Sequence, residues 1–267
     1  CPRMNRIEQS FSDLKAAGKK GFIAYIGAGD PNLSATEKLA VALDETGVDI
    51  LELGVPFSDP LADGLVNQLS SQRGLASGTT PRKVLECVGS IRQRSQIPIV
   101  LYMYFNLMHK PGLDQFISEA AEAGVDGLLA LDLPPEEADE YEGLMRDAGL
   151  CSIWLVAPTT PEQRVKEIVN RGSGFIYYIS REGVTGMQQN VSESIADMTD
   201  IIRSQTDLPI AVGFGISNPK QARQVADCSD AIVVGSAIVN QVAEHGNAPD
   251  MAQQVAGYVK TLVEAIK

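Results

Sequence analysis

Three carboxylates fall within one short stretch, Leu51-Glu52-Leu53-Gly54-Val55-Pro56-Phe57-Ser58-Asp59-Pro60-Leu61-Ala62-Asp63-Gly64. Glu52 lies inside an apolar run, where an unpaired carboxylate is costly. An isolated carboxyl there tends toward a raised pKa, which suits a general acid/base working near neutral pH. The competing reading is a structural glutamate paired inside the core. Asp63, between Pro60 and Gly64, is placed to swing over a bound ligand, although an Asp-Gly turn has the same appearance. Asp59 after Ser58 reads as a turn residue or an interface contact. Tyr102 and Tyr177 end apolar runs and could line a pocket or fill the core.

A second chemistry is suggested by glycines late in the chain: Gly183-Val184-Thr185-Gly186, Gly213-Phe214-Gly215-Ile216-Ser217 and Val234-Gly235-Ser236-Ala237. Glycines let the backbone approach an anion closely, and a helix starting near Gly235 would aim its amides at that anion. No P-loop and no Gly-x-Gly-x-x-Gly dinucleotide fingerprint is present. A phosphorylated small molecule is the ligand class implied.

The elements that must position these residues repeat at a period of about 30 residues, as expected for βα units. Ile7, Phe11 and Leu14 keep helical spacing, which predicts a helix over about 5–17. Strands are expected at 22–26, 49–53, 99–102, 127–131, 152–156, 175–179, 209–212 and 231–234. They are continuous apolar runs, as in parallel strands covered on both faces. Capping boxes are read at Ser34–Glu37 and Thr160–Gln163. Thr80-Pro81 opens a helix, and Gly124 ends another. Residues from Val55 to about Gly78 are expected to form a long loop. Eight such units in 267 residues predict one α/β domain over 1–267, a (β/α)8 TIM barrel with an extra N-terminal helix. An open doubly wound sheet is the alternative. In a barrel, the ends of the strands place Glu52, Asp63 and the glycine loops on one rim, and the loops after the seventh and eighth strands are the usual phosphate site.

Composition bounds the partners. The formal charge of −12 argues against nucleic acid and anionic membranes. Two histidines, His109 and His245, and four cysteines without metal-type spacing give no metal centre. The thiols point to a reducing cytoplasm. No secretory signal is read before the first helix, and no apolar stretch is long enough to span a bilayer.

The motifs LELGVPFSDPLADG (51–64), DGLLALDLPPEE (126–137), LVAPTTPEQR (155–164), YYISREGVTG (177–186), VGFGIS (212–217) and VGSAIV (234–239) together resemble the α subunit of tryptophan synthase. The resemblance spans nearly the whole chain. It implies retro-aldol cleavage of indole-3-glycerol phosphate to indole and glyceraldehyde 3-phosphate, with no metal or cofactor in this chain. It implies Glu52 as general acid/base and Asp63 as acceptor for the indole N–H. Phe22 and Tyr177 are then pocket aromatics, and Tyr102, a candidate from its own position, joins them as a substrate-binding residue. Thr185 is the loop residue that meets the Asp63 loop. Gly186, Gly215, Gly235 and Ser236 bind phosphate. The implied partner is a β subunit carrying pyridoxal phosphate, in an α2β2 assembly, with Asp59 at the contact. Leu65, Asn67, Ser70 and Leu107 depart from the family pattern. Those at Leu65, Asn67 and Leu107 motivate a second reading, a regulatory subunit that activates the β partner without cleaving substrate.

Overall fold

Helix α1 (Arg6–Ala16) precedes strand β1 (Gly21–Gly27), and from there parallel strands alternate with helices to the end of the chain. The structure is a computed structural model that describes residues 4–180 and 188–267, with side chains in the second segment described from Glu193 onward. The strands are β2 (Ile50–Gly54), β3 (Ile99–Met103), β4 (Gly127–Ala130), β5 (Cys151–Ser152), β6 (Trp154–Val156), β7 (Ile176–Ile179), β8 (Ile210–Gly213) and β9 (Ala231–Val234). The intervening helices are α2 (Leu33–Glu45), α3 (Leu65–Ala76), α4 (Pro81–Arg92), α5 (Asn106–His109), α6 (Leu113–Ala123), α7 (Asp139–Asp147), α8 (Glu162–Arg171), α9 (Gln188–Arg203), α10 (Pro219–Asp227), α11 (Ser236–His245) and α12 (Met251–Ile266).

The sheet runs in the order β5-β4-β3-β2-β1-β9-β8-β7-β6. Its two ends, β5 and β6, are separated in sequence only by Ile153. The strand expected at 152–156 is therefore divided, with its first half on β4 and its second on β7. That division closes the eight-strand ring expected from the sequence, and the open-sheet alternative falls.

Strand alternation sorts the core into two layers. Phe22, Ala24, Ile26, Leu51, Leu53, Leu101 and Met103 pack outward against the helices. Ile23, Tyr25, Ile50, Val100, Tyr102, Cys151, Phe175 and Tyr177 point into the barrel. Helix α1 belongs to the inner layer: Ile7, Phe11 and Leu14 close the N-terminal mouth, and the Phe11 and Phe175 rings lie 5.6 Å apart. Buried Asp126 fastens that mouth. It accepts from Arg6 Nη1 at 2.9 Å, from Arg92 Nη2 at 2.8 Å and from the Ile99 amide at 2.9 Å.

Several local expectations hold. Thr80 caps α4 with Pro81 at its first position, and Gly124 ends α6 in the left-handed conformation. Others change. The side chain that caps α2 is Asn32, which accepts from the Ala35 amide, so the Ser34–Glu37 box is not the start. Pro161 precedes α8 without a side-chain cap, while the Thr160 hydroxyl accepts from the Ala157 amide. The expected loop after β2 contains α3, which lacks the apolar stripe that marks a helix in sequence. It packs through small residues. The space beside Gly27 is filled by the Ser70 hydroxyl, and Gly74 approaches the Ala28 carbonyl and Pro56.

Candidate active site

Glu52 is the third residue of β2 and points inward with Ile50 and Gly54. It is 1% exposed, and neither carboxyl oxygen has a hydrogen-bond partner among the described residues. Burial pushes its pKa up from 4.5 to about 8, and the nearby charge of Asp63 adds to the rise. The paired structural glutamate is thereby excluded. Glu52 can hold or release a proton near neutral pH.

Three tyrosines wall the same space. Tyr25 stands in register with Glu52 across the β1–β2 pair, and Tyr102 with Gly54 across β2–β3. The rings of Tyr25 and Tyr102 meet edge to face with centroids 5.1 Å apart. Gly54 makes this possible, because a Cβ there would collide with the Tyr25 ring and hydroxyl. Gly213 likewise leaves room for the Tyr177 hydroxyl. Desolvation, reinforced by the carboxylates, raises the pKa values of Tyr25, Tyr102 and Tyr177, so all three keep their protons.

Asp63 is carried into this space by the loop after β2. Tyr102 Oη donates to its Oδ1 at 2.8 Å, and Tyr104 Oη donates to its Oδ2 at 2.9 Å. The Tyr104 hydroxyl also accepts from the Ala62 amide at 2.9 Å, and its ring lies 4.9 Å from that of Phe57. Gln68 Nε2 donates to the Asp63 carbonyl at 2.9 Å. The carboxylate is thus held by two hydroxyls and the backbone beside it by a third contact.

An ion pair between buried Asp30 and partly exposed Arg73 anchors α3 behind the loop. Arg73 reaches Asp30 with Nε at 2.7 Å and Nη2 at 2.8 Å, and Ser70 Oγ donates to Asp30 Oδ2 at 2.6 Å. Asp30 is 3% exposed, and the two-point guanidinium contact fixes the helix against the end of β1.

The glycine loops lie on the same rim. Strands β8 and β9 pair, with Gly213 opposite Val233, so the loops holding Gly215 and Gly235 are neighbours. Gly215 has φ +58°, which glycine adopts without strain. Gly235 caps α11, and Ser236 is its first residue. Gly235 lies beside the Tyr25 Cβ, which places it across one strand from Glu52. The first amides of α11 have no intrahelical acceptor and are available to an anion.

The structure thus brings Glu52, Asp63, Tyr102, Tyr177, Gly215, Gly235 and Ser236 to one rim. It does not bring Phe22 there. Phe22 is fully buried in the outer layer and its amide donates to Asp49 Oδ2. The period of two along β1 turns Tyr25 inward instead, so Tyr25 is the β1 aromatic of the site. Asp59 is exposed on the loop and accepts from the Ser58 hydroxyl. Thr185 and Gly186 lie outside the described residues. Sequence reasoning missed Tyr25, Tyr104 and the Asp30–Arg73 pair. The alternation of Tyr102 and Tyr104 about Met103 was the available signal for Tyr104. Among the described residues, no three histidine, cysteine or acidic side chains converge as a metal site.

The chain that carries this rim has known relatives. The family described as tryptophan synthase alpha chain matches residues 11–267. The chain belongs to that family. It is 49% identical to the tryptophan synthase alpha chain of Opitutus terrae over 265 residues, covering 99% of this chain and 100% of that one. The corresponding protein of Geobacter sulfurreducens is 48% identical over 263 residues, covering 98% and 99%. The crystal structure of tryptophan synthase subunit alpha from Legionella pneumophila superposes with a TM-score of 0.91 at 37% identity, covering 99% of each chain. The reaction of this family is carbon–carbon cleavage of indole-3-glycerol phosphate in tryptophan biosynthesis. No helix among the described residues is long and apolar enough to cross a membrane.

Proposed function

We propose that this chain cleaves indole-3-glycerol phosphate with Glu52 as the proton-transfer residue and Asp63 as the electrostatic partner. The observation that carries the reading is the buried, unpaired Glu52 carboxyl beside an Asp63 held by two tyrosines. Neutral Glu52 gives its proton to indole C3, leaving a cationic ring whose N–H is held by the Asp63 carboxylate. The Glu52 carboxylate then takes the proton of the side-chain hydroxyl next to the ring. The C–O bond becomes an aldehyde carbonyl, the C3–carbon bond breaks, and its electron pair restores the aromatic indole. Glu52 ends protonated, as it began, and glyceraldehyde 3-phosphate leaves.

Each step is a proton transfer or a charge interaction that these side chains supply, so the chain needs no cofactor of its own. Gly215, Gly235 and Ser236 offer backbone amides to the phosphate. Tyr25, Tyr102 and Tyr177 form the aromatic walls.

The partner is a tryptophan synthase β subunit carrying pyridoxal phosphate, in an α2β2 assembly in the cytoplasm. Asp59 marks the contact. The exposed side chains of Leu61, Leu65 and Leu69 lie on the same loop and helix, an apolar surface suited to an interface. Purified protein, mixed with indole-3-glycerol phosphate with and without the β subunit, should release glyceraldehyde 3-phosphate. An unchanged rate in Glu52→Gln sinks the assignment. Activation of the β subunit without any cleavage favours the regulatory reading instead.

A further inference from the structure

Asn67 is the third residue of α3 and lines the cleft with Asp63, Tyr25, Tyr102 and Tyr104. Its Oδ1 is buried and accepts no hydrogen bond from the described residues. A buried acceptor without a donor is destabilising, and such an atom in a native site calls for a partner that is not protein. Four of the cleft's side-chain hydroxyls are committed elsewhere. Tyr102 and Tyr104 donate to Asp63, Ser70 donates to Asp30, and Ser71 donates to the Phe57 carbonyl. The Tyr25 hydroxyl, which also faces the cleft, does not bond to Asn67. Asp63 itself can only accept. The Asn67 oxygen therefore has no donor among the described residues and is left to one brought in from outside.

We propose that Asn67 is a specificity-determining substrate contact whose side-chain oxygen accepts a hydrogen bond from the aromatic end of the ligand. Its neighbours decide which end. Asn67 lies with Asp63 and the tyrosines, whereas the glycines suited to phosphate follow β8 and β9. In indole-3-glycerol phosphate the only donor of the ring is the indole N–H. Asn67 and Asp63 then share that hydrogen, and the site selects a ring with an N–H over one without. This inference rests on the lyase reading for the identity of the ligand.

The test is Asn67→Leu, which keeps the approximate volume and removes the acceptor. Kinetics are measured with indole-3-glycerol phosphate and with its 1-methylindole counterpart, which has no N–H. The variant should raise KM for the parent substrate about tenfold, the worth of one hydrogen bond. It should leave KM for the methylated compound within about twofold of wild type. The melting temperature of the ligand-free variant should hold or rise, because an unsatisfied acceptor has gone. A structural role would lower it. Equal effects on the two substrates, or no effect on either, overturn the proposal. Asn67→Ala reads the same ratio if leucine is not accommodated. If wild type cleaves neither compound, the lyase reading fails. Calorimetric titration of the same two compounds then reads the Asn67 contact, and equal binding by wild type and variant overturns it.

Discussion

Replacing Glu52 with glutamine should slow cleavage severely and, above neutral pH, stabilise the protein. In the unfolded chain the carboxyl ionises at its ordinary value, and in the folded barrel burial and Asp63 raise it from 4.5 to about 8. Between those values the folded state holds a proton that the unfolded state has lost. Stability therefore falls as pH rises through this window, by about 1.4 kcal/mol for each pH unit. At pH 7 the wild type has lost about 3 kcal/mol, and above pH 8 about 5 kcal/mol, relative to acid conditions. Glutamine has the same shape and never ionises, so its variant carries none of this dependence. Urea unfolding of both proteins at pH 5, 7 and 9 gives the measurement. The variant's advantage should grow across the series and level off above about pH 8, while its cleavage rate falls by about two to three orders of magnitude. A stability difference that does not change with pH would refute the argument, because Glu52 would then be ionised or neutral alike in both states.

Three further outcomes test the surroundings of Glu52. Because neutral Glu52 starts the reaction, kcat/KM should fall above about pH 8, and Asp63→Asn should move that fall to lower pH by removing a charge that raises the Glu52 pKa. The same variant should lower kcat about a hundredfold, as loss of a charge-stabilising group does. Tyr104→Phe removes the donor to Asp63 Oδ2 and the acceptor of the Ala62 amide, so kcat/KM should drop about tenfold to a hundredfold with little change in melting temperature. Asp126→Ala leaves Arg92, whose side chain is only 10% exposed, without its carboxylate. Urea unfolding should show a loss of about 3–5 kcal/mol, with the activity of the remaining folded protein unchanged.

The departures between expectation and structure share a cause. Helix α3 was read as loop because its buried face is made of Ser70 and Gly74 rather than of large apolar residues. Small side chains carry no hydrophobic period, yet they are what lets a helix lie against Gly27. Phe22 and Tyr25 are both aromatics of one apolar strand. Only the phase of that strand in the barrel decides that Tyr25 faces Glu52 and Phe22 faces the helices. Tyr104 lies beyond the last residue of β3, where alternation alone does not guarantee direction, and its role depends on where the Asp63 loop comes to rest. The Asp30–Arg73 pair joins residues 43 positions apart, and no local pattern announces such a contact.

The sequence by itself determined the parallel barrel, the rim at the ends of its strands, and the place of a carboxylate, Glu52, within one of those strands. Those follow from the eightfold alternation of apolar strands and helices. Tertiary structure alone decided that the Glu52 carboxyl has no partner and that Asp63 is held by Tyr102 and Tyr104. It also decided that the Asn67 oxygen is left open. Hydrogen bonding and desolvation depend on which distant side chains share a cavity, and the ring sets that when β1, β2 and β3 come side by side.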